Sequence, residues 1–286
     1  MQIISDPDKM QNTSNDYKMQ SIGFVPTMGA LHDGHLSLIA KSSKENDKTA
    51  VSIFVNPLQF GPKEDLNKYP RDINGDIKKL KTFPVDYLFM PNASSMYADD
   101  YATYVEVHGI TNKLCGKFRS SHFNGVTTVV NKLFNIVKPN KAYFGQKDYQ
   151  QFLVIKKMVK DLKMNIDIIM CPTVRKQDGL AMSSRNSYLN AQERKDAVII
   201  YKSLKTVEYE LQKRAIALNG VSAKLLELLS TSKYITEIQY ASVYDPDTLD
   251  DISSSNINDY NSRLVLIAVA IKLGSTRLID NILVQL

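Results

Sequence analysis

The sequence predicts an α/β protein whose first domain holds a parallel sheet with helices, followed by a smaller α+β domain. Two observations lead to this fold class. Up to about residue 173, short β-branched and aromatic runs alternate with amphipathic helical patterns, as in βαβ units. After that point longer helical patterns come first and apolar strands follow, so the chain divides into residues 1–173 and 174–286.

The elements of the first domain follow from periodicity and from the residues that interrupt it. Pro26 and Gly29 are expected to end the first clear strand, and three Pro and one Gly mark 56–71 as a loop. Residues 1–20 are weakly patterned and leave room for one short helix. The predicted strands are Ser21–Val25, Thr49–Val55, Val85–Met90, Thr103–Val107, Lys141–Phe144 and Asn165–Cys171. The predicted helices are Gly34–Glu45, Ile73–Lys81, Gly125–Val137 and Gln150–Leu162.

The second domain is predicted to begin with helices and end with strands. The helical patterns cover Gln192–Leu218 and Ser222–Leu229, and the strand patterns cover Ile238–Val243 and Leu264–Ile271.

Composition limits the classes of function. The chain has 286 residues, 43% hydrophobic and 23% charged, which is ordinary for a globular protein. Its net charge of +6 comes from lysines spread along the chain, which fits a small phosphorylated ligand better than nucleic acid. The acidic N-terminus is unlike a secretory signal, and no apolar run approaches the ~20 residues of a membrane span. We therefore expect a cytoplasmic protein.

The two cysteines, Cys115 and Cys171, lie in no CxxC pattern and in no Cys/His cluster with metal spacing. A zinc site is not expected from them. Both are expected to pack as small hydrophobic residues in a reducing compartment.

The first segment with chemical content is Pro-Thr-Met-Gly-Ala-Leu-His-Asp-Gly-His at 26–35. His32 and His35 lie three residues apart at the start of a predicted helix, so their side chains share one face. A helix N-terminus offers N–H groups and positive dipole charge to a phosphate, and Gly34 allows close approach. The imidazoles can donate to phosphate oxygens as charge builds on them. This HxGH pattern indicates nucleotide binding; zinc is a weaker alternative because no third ligand is near in sequence.

A second candidate segment is Gly179–Asn186. Its Ser183 and Ser184 hydroxyls and the Arg185 guanidinium can bind phosphate oxygens. A solvated loop is the alternative for this segment alone. Together with the HxGH pattern, the segment Gly179–Asn186 resembles the two-part signature of the nucleotidylyl-transferring group that includes class I aminoacyl-tRNA synthetases. That group usually carries lysines in the second loop, whereas Arg185 is the only cation here.

A third segment, Gly145–Gln151, lies between a predicted strand and a helix. Lys147 could reach a triphosphate, Asp148 could cap the helix or bind ribose, and Gln151 offers an amide to a hydroxy acid. Ordinary helix capping is the alternative interpretation.

A fourth segment, 54–60, follows the C-terminal end of another predicted strand, where ligands bind in open α/β sheets. Its amides, Asn56 and Gln59, suit a substrate whose hydroxyls and carboxylate need directional hydrogen bonds. An Asx turn is the alternative.

Taken together, these segments resemble the pantothenate synthetase family, the pantoate–β-alanine ligases, over essentially the whole chain. The likeness rests on Val-Pro-Thr-Met-Gly-Ala-Leu-His-x-Gly-His at 25–35, Phe-Val-Asn-Pro-x-Gln-Phe at 54–60, Tyr-Pro-Arg at 69–71, Phe-Asn-Gly-Val at 123–126, Phe-Gly-x-Lys-Asp-Tyr-Gln-Gln at 144–151, Asp-Gly-Leu-Ala-Met-Ser-Ser-Arg-Asn at 178–186 and Gly-x-Thr-Arg-Leu-Ile-Asp-Asn at 274–281. The set is far more specific than any one motif.

The resemblance implies a fold and a reaction. A Rossmann-like domain over residues 1–173 would bind ATP and pantoate, residues 174–286 would form a smaller mobile lid, and the chain would form a homodimer. The reaction would condense (R)-pantoate with β-alanine to pantothenate, a coenzyme A precursor, through a pantoyl adenylate. ATP would be a substrate, Mg²⁺ would be required, and AMP and diphosphate would be released.

The resemblance also implies roles for individual residues. His35 would be the proton donor and would act with His32, Lys147 and Arg185. ATP would be bound by Met28, Gly29, Ala30, Leu31, His32, Asp33, Gly34, His35, Gly145, Gln146, Lys147, Asp148, Val174, Met182, Ser183, Ser184 and Arg185.

For the remaining substrates, Gln59 and Gln151 would hold pantoate, and Gln59 would also contact β-alanine. Asp76 would be the metal-associated acid. The chemistry agrees with this assignment, because a carboxylate is a poor electrophile until it is made a mixed anhydride, and closure over the site would keep water from that anhydride.

Three other functions stay open at this point: a nucleotidyltransferase that stops at an adenylylated product, an RNA-binding relative of the synthetases, and an inactive homologue. The amide pair Gln59 and Gln151 suits a polyol acid better than a phosphorylated acceptor. The sequence has no anticodon-type domain, aromatic platform or Arg-rich tract, which argues against the RNA-binding alternative. The intact motifs argue against an inactive homologue.

Overall fold

The computed structural model describes residues 1–16, 19–62, 64–255 and 264–286. Residue 63 of the predicted loop 56–71 lies outside these ranges. The chain divides into two compact units. The first comprises Met1–Asn112, Arg119–Gln146 and Gln151–Pro172, and the second comprises Lys113–Phe118, Lys147–Gln150 and Thr173–Leu286.

Strands and helices alternate along the first part of the chain, as predicted. The described strands are β1 (Gln2–Ile4), β2 (Ile22–Thr27), β3 (Lys48–Ile53), β4 (Tyr87–Phe89), β5 (Lys141–Gly145), β6 (Asp167–Cys171), β7 (Ile235–Tyr244), β8 (Leu264–Leu273) and β9 (Thr276–Gln285). The described helices are α1 (Pro7–Asp16), α2 (Asp33–Glu45), α3 (Ile73–Leu80), α4 (Ala93–Met96), α5 (Leu114–Phe118), α6 (His122–Val137), α7 (Tyr149–Asp161), α8 (Ala191–Asp196), α9 (Ile199–Gln212) and α10 (Leu218–Leu229). The α/β class predicted for the first domain is confirmed.

The sheet of the first unit reverses its strand order beside β2. Its described strands run β1-β4-β3-β2-β5-β6, and every neighbouring pair is parallel. The chain therefore leaves β2 toward β3 on one side and reaches β5 on the other, which makes this the switch point where open α/β sheets bind ligands. The carboxyl ends of β3, β2 and β5, at Ile53, Thr27 and Gly145, lie at the same edge.

Apolar side chains from both the sheet and α2 form the core beneath this edge. Val25 and Val51 of adjacent strands pack with Leu38 and Ile39 of α2, and none of the four is more than 7% exposed. Cys171 lies in the same cluster and behaves as a small hydrophobic residue. This packing fixes α2, and with it the direction in which its N-terminus points.

The expectation that Pro26 ends β2 is wrong, since the strand continues to Thr27. Ser21 and Thr27 carbonyls accept from the β3 side, so the missing N–H of Pro26 falls on the β5 side. The β2–β5 ladder stops at Phe24 although both strands continue, as expected where Pro26 has no N–H to donate toward β5.

The predicted strand Thr103–Val107 is also wrong, because that segment has no regular secondary structure. The backbone of Val105 bonds to side chains of α6 instead of to another strand. Its N–H donates to Thr128 Oγ1 at 3.1 Å, and its carbonyl accepts from Thr127 Oγ1 at 2.5 Å. A β-rich pattern thus covers a segment whose hydrogen bonds a helix surface satisfies.

The second unit contains an antiparallel sheet in the order β7-β8-β9 among its described strands, with α8, α9 and α10. The predicted α+β character is confirmed, but the single helix expected over Gln192–Leu218 is two helices, α8 and α9, and α9 ends at Gln212. Strand β9 was not predicted. Its signal was the two-residue turn Gly274–Ser275 between apolar runs, with φ of +56° at Gly274.

A buried ion pair lies against β9 in the second unit. Asp280 is 4% exposed, and its carboxylate accepts from Arg175 Nη1 at 2.5 Å and Nη2 at 2.9 Å. The Arg175 guanidinium carbon also lies 3.9 Å from the centre of the Tyr201 ring. Burial raises the pKa of Asp280, and Arg175 opposes that rise. Arg175 therefore takes the place of water as the hydrogen-bond partner of this carboxylate.

Both cysteines are buried free thiols. Cys115 departs from the expected hydrophobic packing, because its Sγ lies 3.2 Å from the Tyr240 hydroxyl and 3.4 Å from Arg277 Nη2. Within the described ranges, no helix is long and apolar enough to cross a membrane.

We predict that Asp280→Ala lowers the free energy of unfolding by about 3–5 kcal/mol, because it leaves the Arg175 charge without a partner in a poorly hydrated place. Urea denaturation followed by circular dichroism would measure the change.

The matched control is Asp250→Ala, which removes the partner of Lys113 in an ion pair whose carboxylate side chain is 64% exposed. An exposed pair contributes about 0–1 kcal/mol. Equal small losses in the two variants would contradict the importance given to the buried pair.

Candidate active site

The turn between β2 and α2 has a left-handed backbone, with φ of +82° at Gly29 and +49° at Ala30. Asp76 of α3 holds this turn, because its two carboxylate oxygens accept the N–H of Ala30 at 2.8 Å and of Leu31 at 2.7 Å. Lys79, one helical turn further along α3, donates to the Leu31 carbonyl at 2.6 Å. The helix α3 therefore fixes the backbone that leads into the HxGH motif.

Asp76 is 1% exposed, and its oxygens face the turn. Burial raises the pKa of this carboxyl, while the two N–H donors oppose the rise. Among the described residues, no three His, Cys, Asp or Glu side chains lie together in a way that could hold a metal ion. The metal role of Asp76 stays a prediction. Its bracing of the turn had no sequence signal.

The two histidines stand at the N-terminus of α2, in contact with each other. His32 is the N-cap residue, and its backbone N–H donates to Nδ1 of His35 at 3.4 Å. The two rings are stacked, with centroids 4.1 Å apart and planes inclined by 26°. Nδ1 of His35 faces the backbone, so Nε2 is the ring nitrogen that can donate to a ligand. The His35 ring thus lies beside the first N–H groups of the helix.

Gln59 lies next to this turn. It is 8% exposed in a short 3₁₀ turn after β3, and its Nε2 lies 2.8 Å from Sδ of Met28. Asn56 Nδ2 donates to Gln59 Oε1 at 3.3 Å. The structure therefore brings together residues of the first and fourth candidate segments, Met28 and Gln59, at neighbouring strand ends.

Asn56 itself is part of the framework. It is 1% exposed, and its Oδ1 accepts from the Leu58 N–H and the Tyr97 hydroxyl, while Nδ2 donates to the Gly125 carbonyl at 2.9 Å. The hydrogen-bonding atoms of the Asn56 side chain therefore already have partners within the protein. The Asx-turn interpretation describes Asn56, whereas Gln59 is the amide of this segment that suits a ligand.

Helix α6 approaches the Gln59 turn very closely. A Cβ on Gly125 would lie 2.3 Å from the Leu58 carbonyl oxygen and 2.5 Å from Gln59 Cα, so only glycine fits. Two further side chains contact the Gln59 carbonyl: Nδ1 of His122, the first residue of α6, at 2.9 Å and Nη2 of Arg119, which precedes α6, at 3.4 Å. The close approach explains the glycine of the Phe-Asn-Gly-Val motif in physical terms.

Arg119 is held in turn by Glu64, with Nε–Oε1 and Nη2–Oε2 distances of 2.7 and 2.5 Å. Burial raises the pKa of Glu64, but the guanidinium outweighs it and leaves that pKa below its usual value. Sequence reasoning missed Arg119, Glu64 and His122; the available signal was His122 itself, the last of the chain's four histidines.

The candidate residues after β5 are divided between the units. Gly145, Gln146 and the half-buried Gln151 belong to the first unit, and Lys147 and Asp148 to the second. Lys147 Nζ lies 3.4 Å from Asp148 Oδ1.

The last candidate segment is a shaped loop of the second unit. The Val174 carbonyl accepts the Met182 N–H at 3.0 Å, which closes a narrow hairpin. A short 3₁₀ turn, Ser184–Tyr188, then begins at Ser183, whose Oγ accepts the Arg185 N–H at 3.3 Å. At the tip, Gly179 has φ of +97° and lies against Tyr201, where a Cβ would come within 2.2 Å of the ring. The backbone of the loop is therefore fixed within its own unit.

The parallel sheet with a switch point, and the helix N-terminus and amide beside it, define an α/β protein with a candidate ligand site at the carboxyl ends of its strands. A sequence model of the family described as pantoate-beta-alanine ligase matches residues 2–283. The pantothenate synthetase of Thermodesulfovibrio yellowstonii is 54% identical over 287 residues, covering 100% of both chains. That of Acetivibrio thermocellus is 54% identical over 264 residues, covering 92% of each.

Solved structures agree with the sequence relatives. Pantothenate synthetase from Thermus thermophilus superposes with a TM-score of 0.91 at 39% identity, covering 99% of both chains. Pantoate-beta-alanine ligase from Francisella tularensis, complexed with beta-gamma ATP and beta-alanine, gives a TM-score of 0.80 at 38% identity, covering 99% of this chain and 97% of that one. The chain belongs to the pantoate–β-alanine ligase family and is an enzyme of that family.

We predict that Asp76→Asn lowers stability by about 1–3 kcal/mol, because asparagine offers one acceptor oxygen where two N–H groups point and sets its own NH₂ against one of them. Ligase activity should fall at every Mg²⁺ concentration. Thermal unfolding and an Mg²⁺ titration of activity would measure both effects.

Asp99→Asn, an exposed change of the same type, is the control and should alter neither quantity. Restoration of Asp76→Asn activity by excess Mg²⁺, with unchanged stability, would instead identify Asp76 as a metal ligand.

We also predict that Gly125→Ala destabilises the protein by about 1–3 kcal/mol through overpacking, although alanine is the better helix former. Because the Gln59 turn must move, the KM for pantoate should rise. Gly220→Ala in α10 is the control, since its nearest contact would be an ordinary 3.5 Å to Ile216 Cβ. The free energy of unfolding of Gly220→Ala should be unchanged or higher by up to about 1 kcal/mol. An equal change in stability in Gly125→Ala and Gly220→Ala would exclude the steric argument.

Proposed function

We propose that the chain condenses (R)-pantoate with β-alanine to pantothenate through a pantoyl adenylate, with release of AMP and diphosphate. The observation that carries this proposal is the neighbouring arrangement, at adjacent strand ends, of the His35 helix N-terminus and the buried Gln59 amide. The first suits a phosphate and the second suits a hydroxy acid. The family of the chain supports the same reaction.

ATP binding is proposed for three segments. Met28–His35 supply the backbone of the fixed turn, the first N–H groups of α2 and the two imidazoles. Gly145–Asp148 supply Lys147 as a point charge, and Val174 with Met182–Arg185 supply a backbone edge, two hydroxyls and a guanidinium. These groups together would neutralise the charge of a triphosphate.

Pantoate is assigned to Gln59 and Gln151, and β-alanine to Gln59. Met28 sulfur, which now accepts from Gln59 Nε2, is a weak acceptor. A carboxylate or hydroxyl oxygen of the substrate would therefore replace it favourably. The bond from Asn56 to Gln59 Oε1 would meanwhile keep the amide plane in place.

In the first step the pantoate carboxylate oxygen attacks the α-phosphorus, forming a P–O bond as the bond to diphosphate breaks. Negative charge moves onto the diphosphate and the equatorial oxygens, where the His35 Nε2–H, His32, Lys147 and Arg185 would stabilise it. In the second step the neutral β-alanine amine attacks the acyl carbon, the C–N bond forms as the acyl C–O bond to AMP breaks, AMP leaves and the nitrogen releases one proton to solvent. The enzyme contributes position and electrostatics in both steps.

Mg²⁺ is proposed to enter with ATP as part of the substrate. The described residues form no cluster that could hold the ion by side chains alone, and Mg²⁺ is commonly bound through substrate phosphates and water. No residue is assigned to hold it beyond the prediction for Asp76.

Three broader expectations stay proposals. The chain would act in the cytoplasm, where ATP is supplied, and it would form a homodimer. Residues 1–173 would bind ATP and pantoate, and residues 174–286 would act as the lid.

We predict that His35→Ala reduces pantoate-dependent ATP–diphosphate exchange by about 10²–10³-fold, the usual cost of losing one donor to a developing charge. Thermal unfolding should change little, since the ring is only half-buried. The exchange assay is run with ATP, Mg²⁺ and pantoate and without β-alanine.

His108→Ala is the matched control, because its side chain is 85% exposed. It should retain full exchange. Wild-type exchange in the His35 variant would remove His35 from the mechanism, and exchange that does not need pantoate in the native enzyme would overturn the proposed substrate.

A further inference from the structure

Strand β9 contacts both nucleotide-binding segments proposed for the second unit. Its consecutive residues Asp280 and Asn281 are each 4% exposed. Asp280 binds Arg175, the neighbour of Val174, and Asn281 Nδ2 donates to the Lys147 carbonyl at 2.9 Å. Two adjacent buried polar side chains thus reach two segments that are distant in sequence.

The contact with Arg175 supports the loop that precedes Ser183. Besides its bonds to Asp280, Arg175 Nη1 donates to the Gly179 carbonyl at 3.2 Å, across the hairpin that Val174 and Met182 close. Arg175 Nη2 also reaches the Asn281 carbonyl at 3.5 Å. The guanidinium therefore joins the loop tip to the backbone and carboxylate of β9.

The contact with Lys147 supports the other segment. Lys147 lies in the 3₁₀ segment Gln146–Asp148, which leads directly into α7 at Tyr149. The Asn281 side-chain amide donates to its carbonyl from outside this segment. The backbone N–H of Asn281 donates to Asp280 Oδ1 at 2.8 Å, which helps to orient the Asp280 carboxylate that binds Arg175. Fixing the main chain of Lys147 limits the directions in which its ammonium can reach.

We propose that Asn281 is a positioning residue for ATP that acts through Lys147, while the adjacent Asp280 holds the Arg175 loop. The proposal rests on the proposed role of Lys147 in ATP binding. Asn281 itself makes no contact with substrate in this mechanism. Its removal should lower the fraction of time during which the Lys147 ammonium stands where a triphosphate needs it.

The test is a double-mutant cycle of Asn281→Ala and Lys147→Ala, read by the KM for ATP in the adenylate-forming half-reaction. Asn281→Ala alone should raise that KM about ten-fold, within the range of coupling seen in one hydrogen-bond network. In the Lys147→Ala background it should add almost nothing, because no ammonium is left to position. Attack of β-alanine on the adenylate, followed in a single turnover, should be unchanged.

A merely structural role gives a different result. Loss of folded enzyme would lower the rates of both half-reactions equally and leave the KM for ATP unchanged. In the double variant its loss of rate would add fully to that of Lys147→Ala. That result would overturn the proposal. Because Asn281 is buried, rates are normalised to the burst of diphosphate, which counts competent sites. Asn281→Asp, which keeps the size but has no N–H donor, should raise the KM for ATP at least as much.

Asn219→Ala, at an exposed position of α10, is the control and should match the native enzyme. The native enzyme is assayed in parallel. If it shows no pantoate-dependent release of diphosphate, the proposed function fails; if it does and Asn281→Ala has the native KM for ATP, only the positioning role fails.

Discussion

A buried carboxylate holds the turn on which the chemistry of the first unit depends. Gly29 and Ala30 both adopt left-handed backbone, which for Ala30 costs about 1–2 kcal/mol. Asp76 offsets that cost by accepting the N–H groups of Ala30 and Leu31, and Lys79 binds the Leu31 carbonyl. Without these bonds the chain would leave β2 in another direction, and the N-terminus of α2 would lose its place at the sheet edge.

The amide at the next strand end depends on a similar constraint. Gln59 is held through its own carbonyl by His122 and through its side chain by Asn56, and the absence of a side chain at Gly125 lets α6 reach the turn. Most polar residues around the candidate site therefore bind protein backbone. They leave a few oriented groups for substrate, which is how a site keeps its geometry before the ligand arrives.

The sequence was most informative where a pattern has a local cause. Alternating runs predicted the parallel sheet, and the histidine pair after β2 predicted a helix N-terminus, because both follow from neighbours in the chain. It failed where partners are distant. The bonds of Asp76 to residues 45 and 46 positions away, and those of Val105 to α6, have no local signature. Strand β9 was missed although its Gly-Ser turn was visible, because the polar pair Asp280 and Asn281 interrupts the apolar alternation.

The geometry of the histidines also limits how charge is distributed in the proposed mechanism. Their rings are stacked 4.1 Å apart at the positive end of α2, so two imidazolium charges there would repel each other and the helix dipole. The bond from the His32 N–H to Nδ1 of His35 leaves Nε2 as the ring nitrogen that can donate to a ligand. Lys147 and Arg185 are the cations assigned to the triphosphate. The constraint on the Lys147 backbone by Asn281 consequently bears on binding of the phosphates, whereas His35 bears on the step in which charge develops.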